Sequence, residues 1–319
     1  MLYLGPNEIF DAVELTEVVD VIENALKLYE SDEFEMPTRM HVDYDNNTLL
    51  LMPCFAEKRV GTKLLTLTPR NREKDKPVIQ GCFILNDSET GEILSIIEGS
   101  SLTALRTGAV GAVGVKHTTP KEVSSLGIVG AGVQGFHQAL YATEVRDIED
   151  VYVYDINKDQ AKVFNDRLSK ERNDLNITIV SSSRELLKTS NVVITTTTSK
   201  KPVLPNNIEF VKNKHFIGIG SYKPEMREFP RALFDELDGI LIDTKDAIHE
   251  SGDIVVPLER GWIDEGHIHT MGKLLNEDID IDVYSTTFFK SVGMALFDLL
   301  TANLIYKKAR ESGTEEEIG

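Results

Sequence analysis

Apolar positions change their spacing partway along the chain. Between residues 7 and 30 they recur at helical intervals (Val18, Val21, Ile22, Ala25, Leu26, Tyr29), with Asn7 placed as a cap before Glu8. Residues 36–45 read as extended chain and Asn46-Asn47 as a turn. Residues 48–52, 60–68, 78–85 and 92–98 read as strands, so the first hundred residues predict an antiparallel or mixed sheet. Residues 99–117 then read as a helix, with Ser100 or Ser101 available as its cap. One face of that helix is flat (Ala104, Gly108, Gly111, Ala112, Gly114). Each glycine costs a helix about 1 kcal/mol relative to alanine, so this run implies very close packing or backbone approach to a ligand.

Pro120-Lys121 marks the expected domain boundary. Beyond it, apolar runs at 126–129, 151–154, 177–180, 192–196, 216–219 and 240–243 alternate with helical stretches, as a doubly wound parallel sheet requires. After Thr244 the pattern predicts a polar helix, a segment over 255–262 and a strand near 281–286. A final helix over 291–310 is too apolar to stand alone (Val292, Met294, Leu296, Phe297, Leu299, Leu300, Ile305). Its partner is either the first domain or another subunit.

Residues 124–155 carry the most specific signal. The first apolar run turns through Gly130-Ala131-Gly132-Val133-Gln134-Gly135 into an amphipathic segment, and the second run ends at Asp155. Strand, glycine turn, helix, strand and acid in this order form the dinucleotide-binding fingerprint of a Rossmann-type domain. Gly130 permits the tight turn, Gly132 lets the backbone approach a pyrophosphate, and Gly135 lets helix and strand pack closely. The helix N-terminus offers unpaired N–H groups to the phosphates. Asp155 stands where a carboxylate accepts from ribose hydroxyls and repels a 2′-phosphate, which favours NAD over NADP, although Lys158 nearby softens that preference.

Composition narrows the class further. Hydrophobic residues make up 41% and charged residues 27% of the 319, ordinary values for a globular protein. The net charge of −18 leaves no basic patch for nucleic acid, and no apolar run approaches membrane-spanning length. The excess acid is spread along the chain apart from the tail Glu315-Glu316-Glu317. Cys54 and Cys82 form no metal motif; one disulfide between them is possible, but the rest reads as a reduced, cytoplasmic protein. His267 and His269 form a pair with no third ligand at suggestive spacing.

Three cations of the first domain are candidates for chemistry. Lys63 shares a strand face with Leu65 and Leu67. If that face is buried, desolvation lowers the pKa of the ammonium and makes it a usable proton donor; on an edge strand it would reach water instead. Arg106 sits in the second turn of the glycine-rich helix, where the macrodipole disfavours a cation. It suits either a carboxylate clamp or a salt bridge to Glu98 or another acid. Arg39, in the extended MPTRMHV segment, is a weaker case of the same kind.

Taken together, MPTRMHV, GTKLLTLTPRN, SLTALRTGAVGAV, GIVGAGVQG, VVITTTT, GIGSYKPEMRE and KSVGMA resemble the ornithine cyclodeaminase/μ-crystallin family over essentially the whole chain. The resemblance implies a homodimer in which residues 1–119 and 289–319 form the substrate-binding and dimerisation domain, and residues 120–288 the dinucleotide domain. It implies NAD(P)-dependent redox chemistry at the α-carbon of a small amino or imino acid, through an imine. By the same resemblance Arg39, Lys63 and Arg106 hold the substrate carboxylate and polarise the reacting centre. Thr107, Val133, Gln134, Asp155, Thr196 and Ser291 match cofactor positions, and Val292 borders the substrate.

One position departs from the cyclodeaminase pattern. Tyr222 stands where those enzymes carry the aspartate that engages the substrate's side-chain amine. A phenol is neutral near pH 7, although Glu225 and Glu228 are close enough in sequence to substitute. The expected activity is therefore an imine reductase or amino-acid dehydrogenase. Ornithine cyclodeamination and a μ-crystallin-like binding role are the alternatives.

Overall fold

A computed structural model describes residues 1–74, 76–313 and 316–317; of the acidic tail, Glu315 lies outside the described residues. The chain separates into two compact units, Met1–Arg106 with Met294–Gly319, and Thr107–Gly293.

The first unit is built on a mixed sheet. β1 (Leu2–Leu4) runs parallel to β7 (Ile93–Glu98), and β6 (Ile79–Asp87), β5 (Arg59–Leu67) and β4 (Asn47–Ala56) follow it antiparallel. β2 (Phe34–Glu35) and β3 (Met40–Tyr44) both pair with β4. Alternation at period two sorts side chains to opposite faces. Met52, Cys54, Lys63, Leu65, Phe83 and Leu85 fall on the buried face. The Ala295–Ser312 helix covers β4 and β5 and packs in turn on the Leu15–Leu28 helix, so the first domain is its partner. Lys63 is thus on a central strand, not an edge. Cys54 and Cys82 are both free thiols.

Local chemistry explains where the elements differ from the hydrophobic pattern. The helix expected over 7–30 is two helices, Pro6–Asp11 and Leu15–Leu28. Glu14 and Glu17 cap each other reciprocally, with the Glu14 N–H donating to Glu17 Oε2 at 3.1 Å, and this starts a new helix inside the periodic run. The turn after β3 falls at Asp45-Asn46, one residue earlier than expected, because Asp45 takes the left-handed conformation (φ 57°) that aspartate tolerates.

In the second unit every pairing is parallel. The order is β10 (Asn176–Ile179), β9 (Asp150–Tyr154), β8 (Ser125–Val129), β11 (Val192–Thr195), β12 (His215–Gly218), β15 (Thr287–Lys290), β13 (Ile240–Ile242), β14 (Ile268–Thr270). Chain direction along the sheet reverses between β8 and β11, the switch point at which such sheets bind ligands. The strand expected at 281–286 is instead a turn: Asp282 Oδ1 accepts from Tyr284 N at 2.9 Å, and its carbonyl from Ser285 N at 3.2 Å. Pairing begins only at Thr287.

The helix Gly99–Thr118 starts in the first unit and ends in the second. Its small residues serve close packing. A Cβ on Gly108 would lie 2.4 Å from the Tyr141 ring, and one on Gly114 2.5 Å from Phe289. This packing ties residues from Thr107 onward to the parallel sheet, so the units part at Arg106/Thr107 and not at Pro120-Lys121. Likewise β15 is a strand of the second unit's sheet, and the return to the first unit falls at Gly293/Met294. The helix cap is also different from the one expected. The Glu98 carboxylate, not a serine hydroxyl, accepts from Ser100 N at 2.9 Å and Ser101 N at 2.7 Å. Glu98→Ala is expected to lower the unfolding free energy by about 1 kcal/mol, measured by urea denaturation.

Candidate active site

The glycine turn shapes a cleft of about 530 Å³ at the switch point, lined among others by Gly130, Gly132, Asp155, Ile156 and Thr196–Thr198. Gly130 has φ +104°, which L side chains rarely adopt. A Cβ on Gly135 would lie 2.0 Å from the Gly130 carbonyl oxygen, so only glycine lets the helix start this close to the strand. Gly132 caps the Val133–Val145 helix with no side-chain partner for the first N–H groups, and a Cβ there would meet nothing within 4 Å. Val133 is exposed at this terminus. The opening turn is therefore bare backbone facing open space, the arrangement that receives a phosphate.

Backbone donors fix Asp155 in place. Its Oδ2 accepts from Ala131 N and its Oδ1 from Asn157 N, each at 2.7 Å. Opposite, Thr196 Oγ1 donates to the Gly130 carbonyl at 2.9 Å and Thr196 N to Val129 O at 2.9 Å, closing the cleft floor. Thr107 Oγ1 and Gln134 Oε1 are buried without a hydrogen-bond partner among the described residues. Orphaned polar atoms of this kind are costly unless something else satisfies them. The bare helix N-terminus and the fixed carboxylate fit a dinucleotide.

In the first unit a single carboxylate gathers two of the three cations, Lys63 and Arg106. Asp298 Oδ1 accepts from Lys63 Nζ at 2.9 Å and from Arg106 Nε at 3.1 Å. Lys63 is 1%, Arg106 7% and Asp298 0% exposed, so this is an ion triad inside the protein. Burial lowers the Lys63 pKa to about 8; Asp298 opposes that shift, while Arg106 and Arg39 add to it. Burial alone would raise Asp298, but Arg106 and Lys63 outweigh it and hold the carboxyl below its ordinary range. Asp298 Oδ2 is buried without a partner among the described residues. Arg106 engages Asp298 through Nε; the two terminal amino groups of a guanidinium are the kind of donors that take a carboxylate bidentately. Arg39 lies half-buried just ahead of β3.

The remaining expected residues are distributed otherwise. Ser291 is buried, its hydroxyl donating to Asp243 Oδ2 at 2.6 Å, and Val292 packs into the second unit's core. Tyr222 is half-buried, and burial together with Glu225 raises its phenol. Glu228 is no substitute for an aspartate at that position: its carboxylate is fully buried and taken up by four donors from Thr197, Gly220 and Ser221. Asp298 is the residue the pattern did not single out. Its signal was present, since it is the lone carboxylate in the apolar run Ala295-Leu296-Phe297-Asp298-Leu299-Leu300.

Fold and cleft define a protein with a Rossmann-type parallel α/β unit joined to a mixed-sheet unit. The chain belongs to the ornithine cyclodeaminase/mu-crystallin family, whose model matches residues 5–313. It is 32% identical over 331 aligned positions to a Delta(1)-pyrroline-2-carboxylate reductase of Bacillus cereus, covering 100% of this chain and 99% of the relative. The structure of Thermococcus litoralis Delta(1)-pyrroline-2-carboxylate reductase in complex with NADH and L-proline matches with a TM-score of 0.92 and 34% identity, over 100% of both chains. An archaeal alanine dehydrogenase dimer with bound NAD matches at 0.91 and 27%, over 100% of this chain and 99% of that one.

Removing Asp298 would leave two buried cations facing each other. Asp298→Ala is therefore expected to destabilise the protein by about 3–5 kcal/mol, measured by urea unfolding. Loss under 1 kcal/mol would mean that the triad is solvated in solution.

Proposed function

We propose that this protein is an NADH-dependent reductase of small α-imino acids, with cyclic pyrroline-2-carboxylate as the first substrate to test. The buried Lys63–Asp298–Arg106 triad carries this reading, because it supplies a carboxylate clamp and a proton donor at one point. Whole-chain similarity to two pyrroline-2-carboxylate reductases supports the choice of substrate. NADH, when bound, supplies a hydride to the α-carbon.

The chain's own residues provide the rest. Arg106 and Arg39 hold the substrate carboxylate, using charge-assisted hydrogen bonds. Lys63, with a pKa near 8, is largely protonated at neutral pH and keeps the imine nitrogen protonated, which makes the α-carbon electrophilic. Asp298 orients Lys63 and Arg106, and its free oxygen is an acceptor for an iminium N–H. In the second unit Gly130, Gly132, Gly135 and the helix N-terminus, with Val133 and Gln134, receive the pyrophosphate. Asp155 takes the ribose hydroxyls and disfavours NADPH. Thr107 and Thr196 serve the cofactor; for Ser291, whose hydroxyl is held by Asp243, and for Tyr222 and Val292, a cofactor or substrate role rests on the family resemblance alone. A raised, neutral phenol at Tyr222 does not serve cyclodeamination of a diamino acid.

The same reading includes a homodimer. On the sheet face opposite Lys63, cross-strand pairs align Val42 with Leu49, Met40 with Leu51, Leu51 with Leu64, and Leu64 with Cys82. Met40, Val42, Tyr44 and Phe55 are exposed on that face, large apolar side chains grouped where a partner would cover them. Use of NADH and the two free thiols suit a cytoplasmic setting.

The substrate is tested by following NADH absorbance with pyrroline-2-carboxylate, with pyruvate plus ammonia, and with L-ornithine plus NAD⁺. Stoichiometric NADH loss with an imine is expected; proline from ornithine with no net cofactor change would overturn the reading. As pH rises through about 8, Lys63 loses its proton and kcat/KM for reduction should fall. Lys63→Met should lose that limb and roughly 10²–10⁴-fold in rate. Leu64→Glu is expected to convert a dimer into a monomer by light scattering, and a monomeric wild type would refute the interface.

A further inference from the structure

Beneath the cleft lies a buried charge cluster that takes no part in the chemistry above. Lys290, Glu228, Asp243 and Asp253 are each 0% exposed. Lys290 Nζ donates to Gly218 O at 3.0 Å, and its charge is felt by all three carboxylates. Each acid holds a different loop at the ends of the parallel strands. Asp243 takes Ser291 Oγ at 2.6 Å, Gly293 N at 2.7 Å and Val292 N at 3.1 Å. Asp253 takes Glu228 N at 2.8 Å and Phe229 N at 3.0 Å.

Glu228 joins two loops with one carboxylate. Its Oε1 accepts from Thr197 N at 2.6 Å and Thr197 Oγ1 at 2.8 Å, on the segment that lines the nucleotide cleft. Its Oε2 accepts from Gly220 N at 2.9 Å and Ser221 N at 3.2 Å, on the segment that leads to Tyr222. The two segments are also in direct contact, since a Cβ on Gly220 would lie 2.1 Å from Thr197 O. Three buried acids around one ammonium are an expensive arrangement, and burial raises the pKa of each. A fold needing only stability would be better served by apolar residues of the same volume.

We infer that Glu228 is a positioning residue, whose four-donor carboxylate sets the cleft wall at Thr196–Ser199 for NADH and couples it to the Tyr222 loop. This rests on the proposed NADH-dependent reading. A glutamine keeps one acceptor oxygen and turns the other into a donor facing an N–H, so one loop must move.

The experiment measures NADH affinity by fluorescence, and KM and kcat for pyrroline-2-carboxylate reduction, in the full-length wild type, Glu228→Gln and Thr197→Val. Glu228→Gln is expected to weaken NADH binding about tenfold and to raise the KM for NADH in parallel. Thr197→Val, which removes one of the four donors, should weaken it about threefold and provides the reading should Glu228→Gln fail to fold. A purely structural role lowers kcat with the fraction of active protein and leaves Kd and KM unchanged; that result overturns the inference. A wild type that binds NADH but reduces no imine overturns only the substrate, because the fluorescence comparison still reads Glu228. A wild type that binds no NADH overturns both.

Discussion

Two cations sharing one buried carboxylate is the constraint on which the first unit depends. Lys63 comes from a central strand, Arg106 from the second turn of the long glycine-rich helix, and Asp298 from the first turn of the last helix. None of the three is tolerable alone at this depth, since an isolated buried charge costs several kcal/mol. Their meeting requires that the C-terminal helix return to the first unit after the chain has completed the parallel sheet. Burial at this point lowers the Lys63 pKa to about 8, against the pull of Asp298, so that the ammonium is still charged at neutral pH yet ready to give up its proton.

The second unit solves a different problem with backbone. Its cleft is formed of glycine, of unpaired helix N–H groups, and of side chains whose polar atoms are already committed to holding loops. Glu228, Asp243 and Asp253 spend their carboxylates on main-chain donors from the loops that follow the parallel strands. Such loops have no ladder of their own to fix them. Buried acids supply that order, with Lys290 offsetting part of their charge. Order of this kind prepares a site for a ligand whose phosphates, ribose and ring must all be met at once.

Much of this was legible in the chain. Six of the eight parallel strands lie within a residue of their apolar runs, because a central strand buried on both faces must be continuously apolar; the strands at Ile268–Thr270 and Thr287–Lys290 were not read from the pattern. The glycine turn and Asp155 were legible because a short-range backbone requirement dictates them. The family was legible because motifs recur in order over the whole length. Less legible were the features set by side-chain capping: the break before Leu15, the Glu98 cap and the turn at Asp282 all interrupt hydrophobic periodicity for reasons of hydrogen bonding.

By itself, then, the sequence determined the parallel sheet, the nucleotide turn and the presence of three suspicious cations. Periodicity and backbone geometry act over a few residues, and those features need no more. Only the tertiary structure decided that Lys63 is central and not at an edge, and that Arg106 faces Asp298 while Glu98 caps a helix. It alone showed that Glu228 is consumed by loops and unavailable to an amine. In each case the deciding contact joins residues far apart in the chain or selects among several acids of the same charge. A spacing rule carries no information about which acid lies within 3 Å of which cation; packing does.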